Sequence, residues 1–380
     1  MLIHLIVAAR PNFMKIAPLY YALKKEDWAV PIIVHTGQHY DLNMSDAFFQ
    51  DLGLPEPDLH LGIGSGTHAG QTSQVMIAYE KALLERRPDL IVVVGDVNST
   101  IACALVASKI SYKPTNPSNS INHPKRPLIA HLEAGLRSFD RTMPEEINRL
   151  VTDAVADILW TPSPDADDNL IREGVIQEKI HRVGNIMIDS IEMLRQKIQK
   201  QAVYEEFGFK PGDFGLVTLH RPSNVDDPEL LKQICQTLTR IAQTIPLIFP
   251  IHPRTLKNLQ QNGLMSLLKQ VKGLLLLKPL SYIRFMNLVF NCRFTITDSG
   301  GIQGETTYLG IPCLTIRPNT EWPITINHGT NHLCTLENLE KRVEATLAGK
   351  AAQGSTPEFW DGKTANRVVK TIKSLHPQWL

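Results

Sequence analysis

Cysteine is scarce in this 380-residue chain: Cys103, Cys235, Cys292, Cys313 and Cys334 are the five, without CxxC spacing and without a histidine at zinc-ligand spacing. An odd, scattered set of this kind excludes a disulfide scaffold and predicts reduced, buried, inert thiols. Long apolar runs are lacking too. No stretch approaches the ~20 apolar residues of a membrane span, and the opening MLIHLIVAARP is too short a run for a signal segment with a cleavage site. The expectation is a cytoplasmic protein with no membrane partner. Nor is there an excess of one charge: 39 basic and 38 acidic residues, well mixed, leave a formal charge of +1. Without a broad field, nucleic acid and anionic lipid are excluded as general partners, and any anion must be held by a local cluster. No group of side chains has metal-ligand spacing, so neither metal nor cofactor is expected.

What is present is an ordinary globular composition, 43% hydrophobic and 20% charged. Domains usually run ~100 to 200 residues, so two are expected. Strand-length apolar runs alternate with helix-length amphipathic segments, a rhythm that predicts parallel sheets with helices on both faces. Strands are expected at Leu2–Val7, Pro31–His35, Leu90–Val94, Leu128–Leu132 and Asp157–Trp160, the last of them closing the first half. The second half repeats the pattern at Gly215–Leu219, Leu247–Ile251, Leu274–Leu277, Phe294–Thr297 and Pro312–Ile316. RVGNI at 182–186 reads as the connection between them, and the Pro-, Asn- and Ser-rich stretch 112–126 as a surface loop. The fold class is therefore α/β with two Rossmann-like domains, and ligands are expected at the carboxyl ends of the strands in the cleft between them.

The sharpest chemical signal is FTITDSGGIQGE, Phe294–Glu305, where a strand runs through Ser299, Gly300 and Gly301 directly into a helix. Such a turn aims free N–H groups and a positive helix end at one spot, as a diphosphate requires, or else serves only tight strand-to-helix packing. One turn on, Glu305 can accept hydrogen bonds from ribose hydroxyls. His220 follows GLVTL and His252 follows LIFPI, placing both at strand ends of the same half.

In the first half, Arg10 and Lys15 of ARPNFMK suit phosphate contacts, or are solvated surface charges. Asp96 and Glu133 follow buried strands, where an acid is costly unless paired or functional. Glu145 in MPEEINR is a third acid, with Glu146 able to take the same role, and Arg137 and Arg149 are near enough in sequence to form loop-ordering ion pairs. Asp165 and Asp167 mimic a metal-binding DxD but sit at a helix start, where aspartates cap.

Read in order, ARPNFMKIAPL, TGQHYD, GDVNST, HLEAGLR, PEEINR, VGN, LHRPSNVDD, HPR, DSGGIQGE and LGIPCLTIR resemble the non-hydrolysing UDP-N-acetylglucosamine 2-epimerase family over nearly the whole chain. The resemblance implies the two-domain GT-B architecture, with domains at 1–183 and 184–362 and a terminal helix at 363–380 packed back on the first. It also implies a homodimer acting on a UDP-N-acetylhexosamine in surface-polysaccharide biosynthesis. Carried over by position, Asp96, Glu133, Glu145 and His220 are catalytic. Arg10, Ser299 and Gly300, with Gly301, meet the diphosphate, Glu305 the ribose, and Phe285 the uracil through its backbone. Lys15, Arg137 and His252 complete the substrate-binding set. The implied chemistry removes the C2 proton as UDP leaves C1, giving a bound 2-acetamidoglucal. The proton then returns to the opposite face and UDP adds back. Rival outcomes are hydrolysis to UDP and free N-acetylmannosamine, action on another UDP-N-acetylhexosamine such as UDP-GalNAc, and GT-B glycosyl transfer.

The chain departs from the family pattern in three places. Trp322 stands where the family has a phosphate-contacting arginine, leaving Arg317 or Lys15 as substitutes. Asp41 and the uncharged GTHAGQ replace the glutamine and arginine of the accessory site used for substrate activation in bacterial members. The 112–126 stretch is longer than the usual connection.

Overall fold

The computed structural model describes residues 1–8, 10–37, 51–112, 126–350 and 354–375; Asp41 and most of the 112–126 stretch lie outside them. The chain divides into two compact units, Met1–Met193 with Glu358–Leu380, and Leu194–Pro357.

The first unit holds a seven-stranded parallel sheet in the order β3-β2-β1-β4-β5-β6-β7. Its strands are β1 Leu2–Val7, β2 Val30–His35, β3 Leu59–His60, β4 Leu90–Val94, β5 Leu128–Leu132, β6 Ile158–Thr161 and β7 Ile180–Arg182. β4 and β5 are buried along their whole length, so they read in the sequence as apolar runs, broken only by His131 in β5, rather than as alternating ones. Each fully buried Val, Leu or Ile contributes ~1.5 to 3 kcal/mol against exposure.

β6 is not the last strand of this unit. The short segment IHR pairs parallel to it, Leu159 with Ile180 and Thr161 with Arg182, so Arg182 belongs to the edge of the sheet rather than to a free connection. The helix Thr364–Leu375 belongs to this unit. Its first N–H groups, of Thr364 and Ala365, donate to the Asp189 carboxylate at 3.1 and 2.8 Å, which supplies the cap that helix starts require. Lys373 pairs with Glu26 at 3.4 Å, just past the end of the helix Arg10–Leu23.

The second unit holds a six-stranded parallel sheet ordered β10-β9-β8-β11-β12-β13. These are β8 Gly215–Thr218, β9 Leu247–Pro250, β10 Leu274–Leu277, β11 Phe294–Thr297, β12 Cys313–Thr315 and β13 Asn331–Leu333. Asp227 caps the helix Pro228–Ile241 by accepting from the Leu230 N–H at 2.8 Å, with Pro228 in its first turn. In both sheets the order turns back beside the first strand, at β1 and β4 and at β8 and β11, and doubly wound folds gather their polar residues at the strand ends there. All five cysteines are buried and free, and burial raises their thiols, that of Cys235 to about 12 and that of Cys334 to about 11. No helix among the described residues is long and apolar enough to cross a membrane.

Candidate functional site

The end of β5 leads straight into the first polar cluster. Glu133 takes a left-handed φ of 76°, uncommon for a residue with a side chain, and is held there because its N–H and that of Ala134 both donate to the Trp160 carbonyl at 3.0 Å. The strained turn aims the carboxylate at Lys15, whose Nζ is 2.5 Å from Glu133 Oε1, with both side chains about nine-tenths buried. Burial pushes the Glu133 carboxyl up, and nearby Asp96 adds to this, while Lys15 and His131 pull it back; the balance stays above the usual carboxylate range. Gly95, with φ of 64°, lies against the pair: a Cβ there would sit 3.0 Å from Lys15 Nζ and 3.5 Å from Glu133 Oε1.

Asp96 follows Gly95 at the end of β4 and keeps 31% of its side chain exposed. Its Oδ2 receives Arg149 through Nε at 3.1 Å and Nη2 at 2.8 Å, a fork that fixes the direction of the carboxylate. The other arm of Arg149 meets Glu146, which is buried and also accepts from the N–H groups of Ser138 and Phe139 at 3.0 and 2.9 Å. Glu146 is thereby the structural acid of the PEEINR pair. Glu145, on the first turn of the helix Pro144–Val155, is left half-buried, with no ion pair among the described residues.

Beneath this layer His131 is fully buried, with Nδ1 2.5 Å from Asp153 and Nε2 2.8 Å from the Gly95 carbonyl. A carbonyl only accepts, so Nε2 carries a proton and the ring ties the Gly95–Asp96 turn to the helix below. Burial alone would raise the Asp153 carboxyl, but His131 and Arg137 outweigh it and hold it low. Arg137, expected as a substrate contact, is 1% exposed and is used up by Asp153 at 2.7 Å, Glu173 at 2.7 Å and the Leu136 carbonyl at 2.8 Å. Its role is to brace the loop after β5. Asp167 likewise accepts from Arg182 at 2.8 Å and from the Thr161 hydroxyl, a structural use of the DxD look-alike. Arg10 opens the helix Arg10–Leu23. Lys15 lies in the second turn of the same helix, committed to Glu133.

The second cluster crowns β8 and β11, and its hub is a residue the sequence reading did not single out. Asp298, wholly buried, accepts from the His220 N–H at 3.0 Å, the Arg221 N–H at 2.9 Å and Asn224 Nδ2 at 3.2 Å. His220 Nδ1 lies 3.2 Å from the same carboxylate, which leaves its Nε2 as the free ring nitrogen. Burial lowers the His220 ring, Asp298 works against this, and Arg221 and Arg317 add to the lowering, so the balance lies below the usual imidazole range. The His252 ring stands 5.3 Å from it, and His252 Nδ1 caps the next helix by accepting from the Arg254 N–H at 3.2 Å.

Ser299 is the N-cap position of the helix Gly300–Leu309. The two glycines that follow differ in purpose. A Cβ on Gly300 would lie 2.1 Å from Glu321 Oε1, so this glycine makes room for a carboxylate of the protein itself. A Cβ on Gly301 would meet nothing within 4 Å, so this glycine faces open space. Glu305 is 3% exposed and accepts from the Tyr282 hydroxyl at 2.9 Å, and burial outweighs that bond to raise its carboxyl to about 7. Phe285 lies on the helix Tyr282–Asn291, where its N–H is taken by the Ser281 carbonyl at 2.9 Å. Trp322 is core: 4% exposed, its N–H donating to Thr320 Oγ1 at 3.0 Å. No group of three or more metal-ligand side chains occurs among the described residues.

Two parallel-sheet α/β units, each with its polar cluster at strand ends beside a reversal of strand order, are the units of the GT-B architecture. A lipopolysaccharide outer core galactosyltransferase shares the fold alone, with a TM-score of 0.55 at 14% identity. The family model described as UDP-N-acetylglucosamine 2-epimerase matches residues 21–373, and the chain belongs to that family. UDP-N-acetylglucosamine 2-epimerase of Methanocaldococcus jannaschii is 40% identical over 98% of this chain and 99% of its own. A crystal structure of that enzyme in complex with UDP-GlcNAc and UDP superposes with a TM-score of 0.86, covering 98% of this chain and 100% of the other. UDP-2,3-diacetamido-2,3-dideoxy-D-glucuronate 2-epimerase of Pseudomonas aeruginosa is 37% identical over 97% of this chain and 99% of its own.

Proposed function

We propose that the protein interconverts UDP-N-acetylglucosamine and UDP-N-acetylmannosamine without releasing UDP. The observation that carries the reading is a pair of acids held in unlike states within one cluster. Glu133 is pushed toward its protonated form by burial, whereas Asp96 is gripped by the Arg149 fork and reaches solvent. A reaction that takes a proton from one face of C2 and returns one to the other needs two groups so differentiated. In the proposed course a carboxylate of the Asp96, Glu133 and Glu145 set removes the C2 proton while the C1–O bond to UDP breaks. A second group protonates the opposite face, and UDP adds back to C1. Ser299, Gly300, Gly301 and Arg10 serve the diphosphate, Glu305 the ribose, Phe285 the uracil, and His220 and His252 the region beside the diphosphate. Arg137 acts through the loop it braces and not on the substrate.

Proton NMR of the purified protein with UDP-GlcNAc tests the outcome: both UDP-sugars at equilibrium are expected, and free UDP with reducing N-acetylmannosamine would establish hydrolysis instead. The Pseudomonas relative acts on a different UDP-sugar, so the same assay extends to UDP-GalNAc and to diacetamido sugars. A homodimer in the cytoplasm completes the reading. Sedimentation velocity should return twice the chain mass, and a monomer would remove that element.

A further inference from the structure

We propose that Arg221 is the cation that takes the UDP diphosphate in this chain, in place of the family arginine that Trp322 replaces; this rests on the reading of a UDP-sugar site. The sequence offered Lys15 and Arg317 as substitutes, but both are committed. Lys15 belongs to the other unit and is bonded to Glu133. Arg317 is 3% exposed in its side chain and pairs with Glu321 at 2.7 Å.

Arg221 is differently placed. It follows β8, next to β11 in the sheet, and its Nε donates to the Asp298 carbonyl at 3.1 Å, which fixes the plane of the guanidinium at the residue just before Ser299. Its Nη2 is 3.4 Å from Glu321 Oε1, the atom that fills the space a Gly300 side chain would take, so the guanidinium stands beside the first turn of the helix Gly300–Leu309. The Glu321 contact is long and its carboxylate is shared with Arg317, and Arg221 keeps 22% of its side chain exposed against 3% for Arg317, so of the two it is the one a ligand can reach. Its Nη1 has no hydrogen-bond partner among the described residues. A guanidinium anchored at Nε, with Nη1 unpartnered among the described residues and Nη2 held only at 3.4 Å, can offer both Nη donors to a phosphate once the Glu321 contact is released. Glu321 is then a positioning residue, holding two arginines against one helix start, and the glycine at 300 is required by it.

Calorimetric titration with UDP, beside an NMR titration with uridine, separates the phosphate contact from everything else. Arg221→Ala is expected to weaken UDP about 10- to 100-fold while leaving uridine affinity unchanged, and Arg221→Lys to recover part of the loss. Glu305→Ala, by contrast, should weaken UDP and uridine alike. UDP affinity within twofold of wild type in Arg221→Ala would overturn the assignment, as would a parallel loss of uridine, which would make Arg221 a structural residue. If the wild type binds neither molecule, the parent reading of a UDP-sugar site falls, and this assignment with it. A wild type that binds UDP while Arg221→Ala binds it equally well sinks this assignment alone.

Discussion

Replacing Lys15 by Met removes one partner of a nearly buried ion pair and leaves the Glu133 carboxylate without a counter-charge. Side chains about 10% exposed and atoms 2.5 Å apart put this pair where removal of one partner costs ~3 to 5 kcal/mol. The cost depends on pH, because Glu133 can escape by taking up a proton. Its carboxyl is already raised in the folded protein by burial, and Lys15 is the largest group restraining it, so the substitution raises it further. A raised folded-state value means that the native state binds more protons than the unfolded one. The stability from that proton is complete below the unfolded value of about 4.3 and is lost as pH rises through the folded value. The deficit of Lys15→Met relative to wild type should therefore be smallest at about pH 4 to 5, where Glu133 is protonated in both native proteins, and grow by up to ~1.4 kcal/mol for each pH unit between the wild-type folded value and the higher mutant one before levelling off. Urea unfolding followed by circular dichroism between pH 4 and 8 measures it. A deficit that stays constant across that range would refute the reasoning, because the carboxylate would then not be the origin of the cost.

Asp96→Asn and Glu133→Gln should each lower turnover by about 10² to 10⁴-fold while UDP affinity holds, the usual worth of a general acid or base; matching activity in wild type and mutants would instead indicate a binding protein. Glu305 has a carboxyl near 7 when ligand-free, and ribose hydroxyls favour its ionised form, so UDP binding at pH 7 should release a fraction of a proton. Calorimetry in buffers of different ionisation enthalpy detects that release, which Glu305→Gln should abolish, and Glu305→Ala should weaken UDP by ~1 to 3 kcal/mol. Gly300→Ala meets Glu321 at 2.1 Å and should cost ~1 to 3 kcal/mol of stability. Gly301→Ala, with open space around it, should fold normally yet bind UDP more weakly, so a melting temperature of Gly301→Ala lowered as far as that of Gly300→Ala would erase the distinction.

The central strands were legible because they are buried on both faces, and LIVVV or FTIT can scarcely be anything else beside glycine turns. Of the four edge strands only β10, the apolar run LLLL, was legible; LH, IHR and NHL are two or three residues long, carry polar groups, and exist only because a neighbouring strand offers its free edge. The same holds at the candidate site. Asp96 and Glu133 could be picked out as acids directly after apolar strands. Their partners could not, since Lys15 is 118 residues from Glu133 and Arg149 is 53 from Asp96. For Arg137 the sequence left a substrate contact and a loop-ordering ion pair both open, since nothing local reveals that Asp153 and Glu173 hold its guanidinium. The importance of Asp298 was hidden by the glycines beside it, although an aspartate straight after a buried strand is the same signal that marked Asp96.

Solvent exchange at C2 tests the central claim most directly. Incubated with UDP-GlcNAc in deuterated buffer, the wild-type protein should place deuterium at C2 of the sugar nucleotides as the second epimer forms, and Asp96→Asn and Glu133→Gln should do so far more slowly. Turnover of UDP-GlcNAc with the C2 proton fully retained would contradict the account.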